Sequence, residues 1–239
     1  MNQQRNQQGF TIVELMLAMA FIALLLVAIA VTVIRIGGTY SKGLTIASVN
    51  QAGRTIVDDM KRTLSQDRPF DIANAYKTQV VGTSKGGRLC GNYYAYVWNL
   101  YKRDDESVNS NARPINKFDS GQSVNFVKVS NNGTNYCELD ASGNYPAIKQ
   151  ADATRLLADD DPLALYSVDV SQLTQNLATN RMLYKIKMTI NSAESGDVVE
   201  LNSVAQCKPP SVDEANQNYC AVNDFTFTVQ AGNAGEGNQ

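Results

Sequence analysis

Histidine is absent from all 239 residues. That removes Ser-His-Asp and Cys-His catalysis, the commonest metal ligand and the usual titrating group near neutral pH. Cysteine occurs only at Cys90, Cys137, Cys207 and Cys220, and no two of these form a C-x-x-C pair. A zinc site or a thioredoxin-like motif is therefore not expected. Charged residues make up 18% of the chain and the formal net charge is −2, which gives no global attraction to nucleic acid or anionic lipid. No internal repeat is found, and no spacing points to acid-acid or lysine-based catalysis. Charge is missing altogether from Leu15 to Ile34.

That last absence is informative. Twenty residues from Leu15 to Ile34 are apolar apart from Thr32, and as a helix they span about 30 Å, the hydrocarbon thickness of a bilayer. A secretory signal peptide would carry an A-x-A-like cleavage site after its apolar core. Here the run ends in Val33-Ile34-Arg35-Ile36-Gly37-Gly38, so the helix is expected to be retained. Ala18, Ala20, Ala23, Ala28 and Ala30 permit close helix approach, though alanine is common in any membrane helix. At the edge of the span stands one acid, Glu14. A carboxylate in lipid costs about 2.5–3.5 kcal/mol, so it calls for a partner.

The order Gly9-Phe10-Thr11-Ile12-Val13-Glu14 after a short polar leader resembles the prepilin signal of type IV filament subunits. The resemblance covers roughly the first 65 residues. It implies cleavage between Gly9 and Phe10 by a prepilin peptidase and N-methylation of Phe10. It also implies pairing of Glu14 with the new amino terminus of a neighbouring subunit. Assembly machinery and other pilins would be the partners, and the apolar helices would form the filament core. Gly53, Arg54, Asp58, Asp59 and Arg62 look like the post-membrane helix of larger minor pilins and J-type pseudopilins.

Along the chain, residues 1–9 read as leader and 10–36 as the apolar helix. Gly37-Gly38 is read as a hinge or kink, because glycine weakens a helix. The helix resumes from Leu44 to about Gln66, with Val49, Gly53, Ile56, Val57, Met60 and Leu64 forming an apolar stripe, and Pro69 bars its continuation. The amphipathic portion is thus 37–66, the β head 67–232 and the frayed tail 233–239. Strands are expected at Tyr93–Tyr101, Ser123–Val129, Leu165–Val170, Met182–Ile190 and around Phe225, Phe227 and Val229. In Ser123–Val129, Val124 and Phe126 are set on one side, Val127 and Val129 on the other. In Met182–Ile190 the apolar residues alternate with Lys185, Lys187 and Thr189, as in a half-buried antiparallel strand. Asn132-Gly133 and Ser195-Gly196-Asp197 read as turns, with Val198–Ala205 returning after the second. Gln150–Ala158 is read as a short helix. The fold class is α+β: a long N-terminal helix packed on an antiparallel sheet, which matches the pilin architecture.

Four cysteines allow three pairings. Cys207–Cys220 is favoured for its short loop holding Pro209 and Pro210, and Cys90–Cys137 follows by elimination; four reduced, buried thiols are the rival reading. Asp159-Asp160-Asp161, with Asp152 nearby, offers clustered oxygens for calcium but lacks the glycine and terminal glutamate of an EF-hand loop, and a solvated acidic loop is favoured. The glycine-rich segment Thr83–Arg88, with Lys102 and Arg103, reads as a basic loop that is not a phosphate loop. Contact with DNA or a host surface is its functional reading, and scattered surface charge the favoured one. No cofactor, metal or catalytic residue is assigned. The reading is a structural subunit of a pilus-like filament, a low-copy initiating or tip pilin or pseudopilin. It would sit in the cytoplasmic membrane before assembly and in an extracellular pilus or pseudopilus afterwards. Type IV pilus, type II secretion and DNA uptake all fit. A membrane-anchored or tip-located adhesin or DNA receptor is the alternative.

Overall fold

A computed structural model describes residues 11–81, 84–100, 115–131, 134–141, 143–157, 163–176, 181–192, 198–201, 204–209, 211 and 219–232. The first element, α1 (Ile12–Ser65), is one α-helix of 54 residues, about 81 Å long at the standard rise. The expected interruption at Gly37-Gly38 is not found; the helix runs unbroken through both glycines. Propagation adds one hydrogen bond per residue fixed, so strong helix on either side carries the ladder across. The helix stops four residues before Pro69, with Gln66 at its C-cap.

After a four-residue helix α2 (Ile72–Ala75) come β1 (Tyr76–Val81), β2 (Ser84–Cys90), β3 (Tyr94–Leu100), β4 (Phe126–Ser130) and β5 (Ala153–Leu157). They form a meander in the order β1-β2-β3-β4-β5, every pair antiparallel. A second sheet has the order β10-β7-β6, from β6 (Leu163–Asn176), β7 (Arg181–Ser192) and β10 (Val222–Ala231). A small hairpin pairs β8 (Val198–Leu201) with β9 (Val204–Cys207). The chain is therefore α+β, with one long N-terminal apolar helix and antiparallel sheets.

The main core lies between α1 and both larger sheets. Val49, Ile56, Met60 and Leu64 meet Tyr96, Trp98 and Phe126 of the five-stranded sheet and Leu165, Tyr184, Ile186, Met188 and Ile190 of the three-stranded one. The helical stripe and the β7 alternation thus face one another, although Thr189 is buried rather than exposed. A second core covers the other face of the five-stranded sheet: Ala95, Val97, Val127 and Val129 lie under Phe118, Val124, Tyr136 and Ile148. β3 is consequently buried on both faces, which explains its density of aromatic and β-branched side chains.

Four expectations are corrected. Val124 joins Val127 and Val129 rather than Phe126, because β4 begins only at Phe126 and the strand's alternation does not bind Val124. Gln150–Ala158 is one 3-10 turn, Gln150–Asp152, and then the strand β5, where pairing with β4 overrides local helix preference. Val198–Ala205 does not return along β7. Both flanks of β7 are taken by β6 and β10, so the segment divides between β8 and β9, which pair with each other. The segment up to Arg88 is not a loop but strand β2. Gly86 and Gly87 belong there because Trp98 crosses over them: a Cβ on Gly87 would lie 2.7 Å from the indole, and one on Gly86 2.7 Å from the Trp98 carbonyl oxygen. The tail 233–239 and the turns at Asn132-Gly133 and Ser195–Asp197 lie outside the described residues.

Helix and sheet approach most closely at Gly53, where a Cβ would meet the Phe225 ring at 2.1 Å. We predict that Gly53→Ala lowers stability by roughly 1–3 kcal/mol through overpacking. Gly43→Ala, whose Cβ meets nothing within 4 Å, is expected not to destabilise. Chemical denaturation of the full chain in detergent, followed by tryptophan fluorescence, compares the two.

Candidate functional site

Two regions of α1 have opposite surroundings. From Thr11 to Gly37 every residue is exposed, including Leu17, Phe21, Leu24 and Ile29. A contiguous apolar surface of this length exceeds the few hundred Å² that soluble monomers leave uncovered. It is long and apolar enough to cross a membrane.

Glu14 sits at the start of this half. Thr11 is the N-cap, and its hydroxyl accepts from the Glu14 backbone N–H at 3.3 Å. The Glu14 carboxylate accepts in return from the Thr11 backbone N–H at 3.0 Å and the Thr11 hydroxyl at 2.9 Å. This reciprocal box satisfies two of the donors that every helix start leaves open. No basic side chain faces the Glu14 carboxylate among the described residues. Gly9 and Phe10 lie outside the described residues.

The other half is fastened to the sheets by polar groups as well as by the core. Asp59 accepts from Lys128 Nζ on β4 at 2.6 Å, from the Tyr96 hydroxyl on β3 at 3.1 Å and from Arg62 at 3.3 Å. Just past the helix end, the buried carboxylate of Asp67 accepts from the backbone N–H groups of Arg68 and Asn92, both at 2.8 Å, and from Asn92 Nδ2 at 3.1 Å. The Asp67 carbonyl takes the Gly232 N–H at the close of β10. The Tyr184 hydroxyl accepts from the Phe70 N–H and donates to the Phe70 carbonyl oxygen, with the two rings stacked at 4.4 Å. Asp59 lay in the noticed charge pattern and Tyr184 in the alternation of β7, but the Asp67–Asn92 and Tyr184–Phe70 hydrogen bonds carried no sequence signal, because the partners are 25 and 114 residues apart.

The four cysteines form two disulfides, Cys90–Cys137 and Cys207–Cys220, with Cα separations of 6.0 and 5.9 Å. The first ties the end of β2 to the loop that roofs the second core. Beside it, Arg88 is buried; it donates to the Tyr136 carbonyl oxygen and to Asn116 Oδ1 and lies over the Tyr145 ring. Burial pulls its guanidinium down to about 10. Arg88 therefore braces this loop and presents no charge to an outside anion, which removes it from the expected basic surface. Thr83, Lys102, Arg103 and Asp159–Asp161 lie outside the described residues. Asp152 accepts from the Tyr136 hydroxyl at 3.2 Å. No group of three or more metal-ligating side chains gathers among the described residues.

A polar cleft of about 270 Å³ is floored by β6, β7 and β10 and walled by Lys85 of β2, Leu100 of β3 and Val204 and Ala205 of β9. Ser167 donates to Thr189, Thr189 to Asp224, and Asp224 pairs with Lys187, so its floor is satisfied internally. No family model, no curated protein and no solved structure matches the chain.

Tyrosines packed into the head titrate late. Burial raises Tyr76 to about 12, and it also raises Tyr96 and Tyr184. An acid whose folded pKa exceeds its unfolded value favours the fold while protonated. Stability is therefore expected to hold up to about pH 9 and to fall progressively from pH 10 to about 12. Denaturation midpoints measured across that range, with tyrosinate absorbance recorded in parallel, check this.

Proposed function

We propose that the chain is a structural subunit of a type IV pilus-like filament. In this reading it is a low-copy pilin or pseudopilin that initiates or tips the fibre. It is matured by a prepilin peptidase between Gly9 and Phe10, N-methylated at Phe10 and held in the cytoplasmic membrane before assembly. The observation that carries the reading is the uncovered apolar half of α1, continuous with a half that forms the spine of a folded head. A helix used only as an anchor needs no such continuity. A subunit that buries its apolar half among neighbours and displays its head outside does need it.

The two disulfides support a head that matures in an oxidising compartment. The placement of Glu14 supports an assembly role. Its carboxylate lies at the helix start, hydrogen-bonded to Thr11, the residue that follows Phe10 in the sequence. A neighbour's ammonium there would offset the cost of taking the charge out of water. A long helix whose outer half is laid against antiparallel strands supports the same reading.

Glu14 also serves the capping box, and two variants separate the roles. Glu14→Leu removes the charge and the carboxylate half of the box, whereas Glu14→Gln keeps an acceptor for Thr11 and removes the charge. Both are expected to be processed normally and to be depleted at least about tenfold from sheared filaments, as the loss of one buried charge pair implies. Wild-type amounts of Glu14→Gln in the filament fraction would assign the residue to capping alone.

Processing is tested separately. Gly9→Ala is expected to slow maturation, seen as accumulation of a slower-migrating form on a gel. Sequencing of the mature amino terminus decides the position: a start at any residue other than Phe10 in the wild type refutes the assigned cleavage.

A further inference from the structure

We infer that Gly37–Leu44 forms a joint in α1, a stretch whose helix opens far more readily than the halves beside it and lets the head swing relative to the apolar half. The segment reads Gly-Gly-Thr-Tyr-Ser-Lys-Gly-Leu. Three of its residues are glycine, each costing about fivefold in the local helix equilibrium relative to alanine. Threonine, tyrosine and serine are also weak helix formers. Among the described residues, nothing in the chain requires these glycines for fit at two of the three positions: a Cβ on Gly37 or on Gly43 meets no atom within 4 Å.

The surroundings give the segment no compensation. Tyr40 and Leu44 are exposed, and the first buried residue of α1 is Val49. The core begins there, and the apolar run ends at Ile34. Between them, the helix is supported neither by the sheets nor by an apolar surround. Thr39 and Thr45 turn their hydroxyls back to the carbonyl oxygens of Arg35 and Ser41, both at 3.1 Å, as Thr32 and Thr55 do in the halves on either side. Such back-bonding competes with the ladder and bends helices. The ladder is intact because strong helix flanks it on both sides. Opening it breaks no tertiary contact of the core. The joint requires only that the apolar half be held, in lipid or among other helices, so it does not depend on the filament assignment.

Hydrogen exchange on the full chain in detergent micelles, resolved by mass spectrometry, tests this. The amides of Gly38–Leu44 are expected to exchange at least about tenfold faster than those of Ala18–Ala30 and of Ile56–Leu64. The triple variant Gly37→Ala, Gly38→Ala, Gly43→Ala is expected to slow exchange in the segment by about 100-fold, leaving Ile56–Leu64 unchanged. Protection of Gly38–Leu44 equal to that of both flanks in the wild type overturns the inference by itself. So does a triple variant that folds and exchanges there at the wild-type rate.

Discussion

Val49, Gly53, Ile56, Met60 and Leu64 form the contact on which the head is built, because both larger sheets close against this one stripe. The five-stranded meander supplies Tyr96, Trp98 and Phe126, and the three-stranded sheet supplies Tyr184, Ile186, Met188 and Ile190. Neither sheet closes that core alone. Gly53 lets Phe225 reach the helix backbone. Asp59 then fixes the axial position, since it receives hydrogen bonds from two neighbouring strands. The Asp59–Lys128 pair is largely shielded from water, so removing one partner would strand the other charge. Apolar area drives the contact and polar geometry sets its register.

Much of this was legible because periodicity reports burial directly. The α1 stripe recurs at three and four residues, and the β7 residues Tyr184, Ile186, Met188 and Ile190 recur at two. Both patterns name a face without any knowledge of what covers it. Other parts were illegible for an identifiable reason. Gly86 and Gly87 look like a loop because glycine is poor in strands, and only the overlying Trp98 makes them necessary. The fate of Val198–Ala205 depended on β10, which begins seventeen residues after Ala205, taking the place beside β7. Local sequence cannot show which distant strand wins an edge.

The site divides in the same way. The apolar run and Glu14 are read from composition and position, and the structure adds that Glu14 closes a box with Thr11. Arg88 illustrates the reverse. In sequence it is a charge beside glycines. In three dimensions it is a buried brace between β2, Asn116 and the Tyr136 loop, next to a disulfide. Charge alone does not reveal which way a side chain points on a strand that is buried on both sides.

The spacing along α1 also sets how the head senses a membrane. Val49 follows Ile34 by fifteen residues, which as helix is a stand-off of about 22 Å. Electrostatic influence in physiological salt decays over about 8 Å. With the apolar run seated in a bilayer and the helix upright, the first contact of the core stands more than two screening lengths from the end of that run. The packing that holds the head to its helix is then insulated from the charge of the lipid headgroups beneath it.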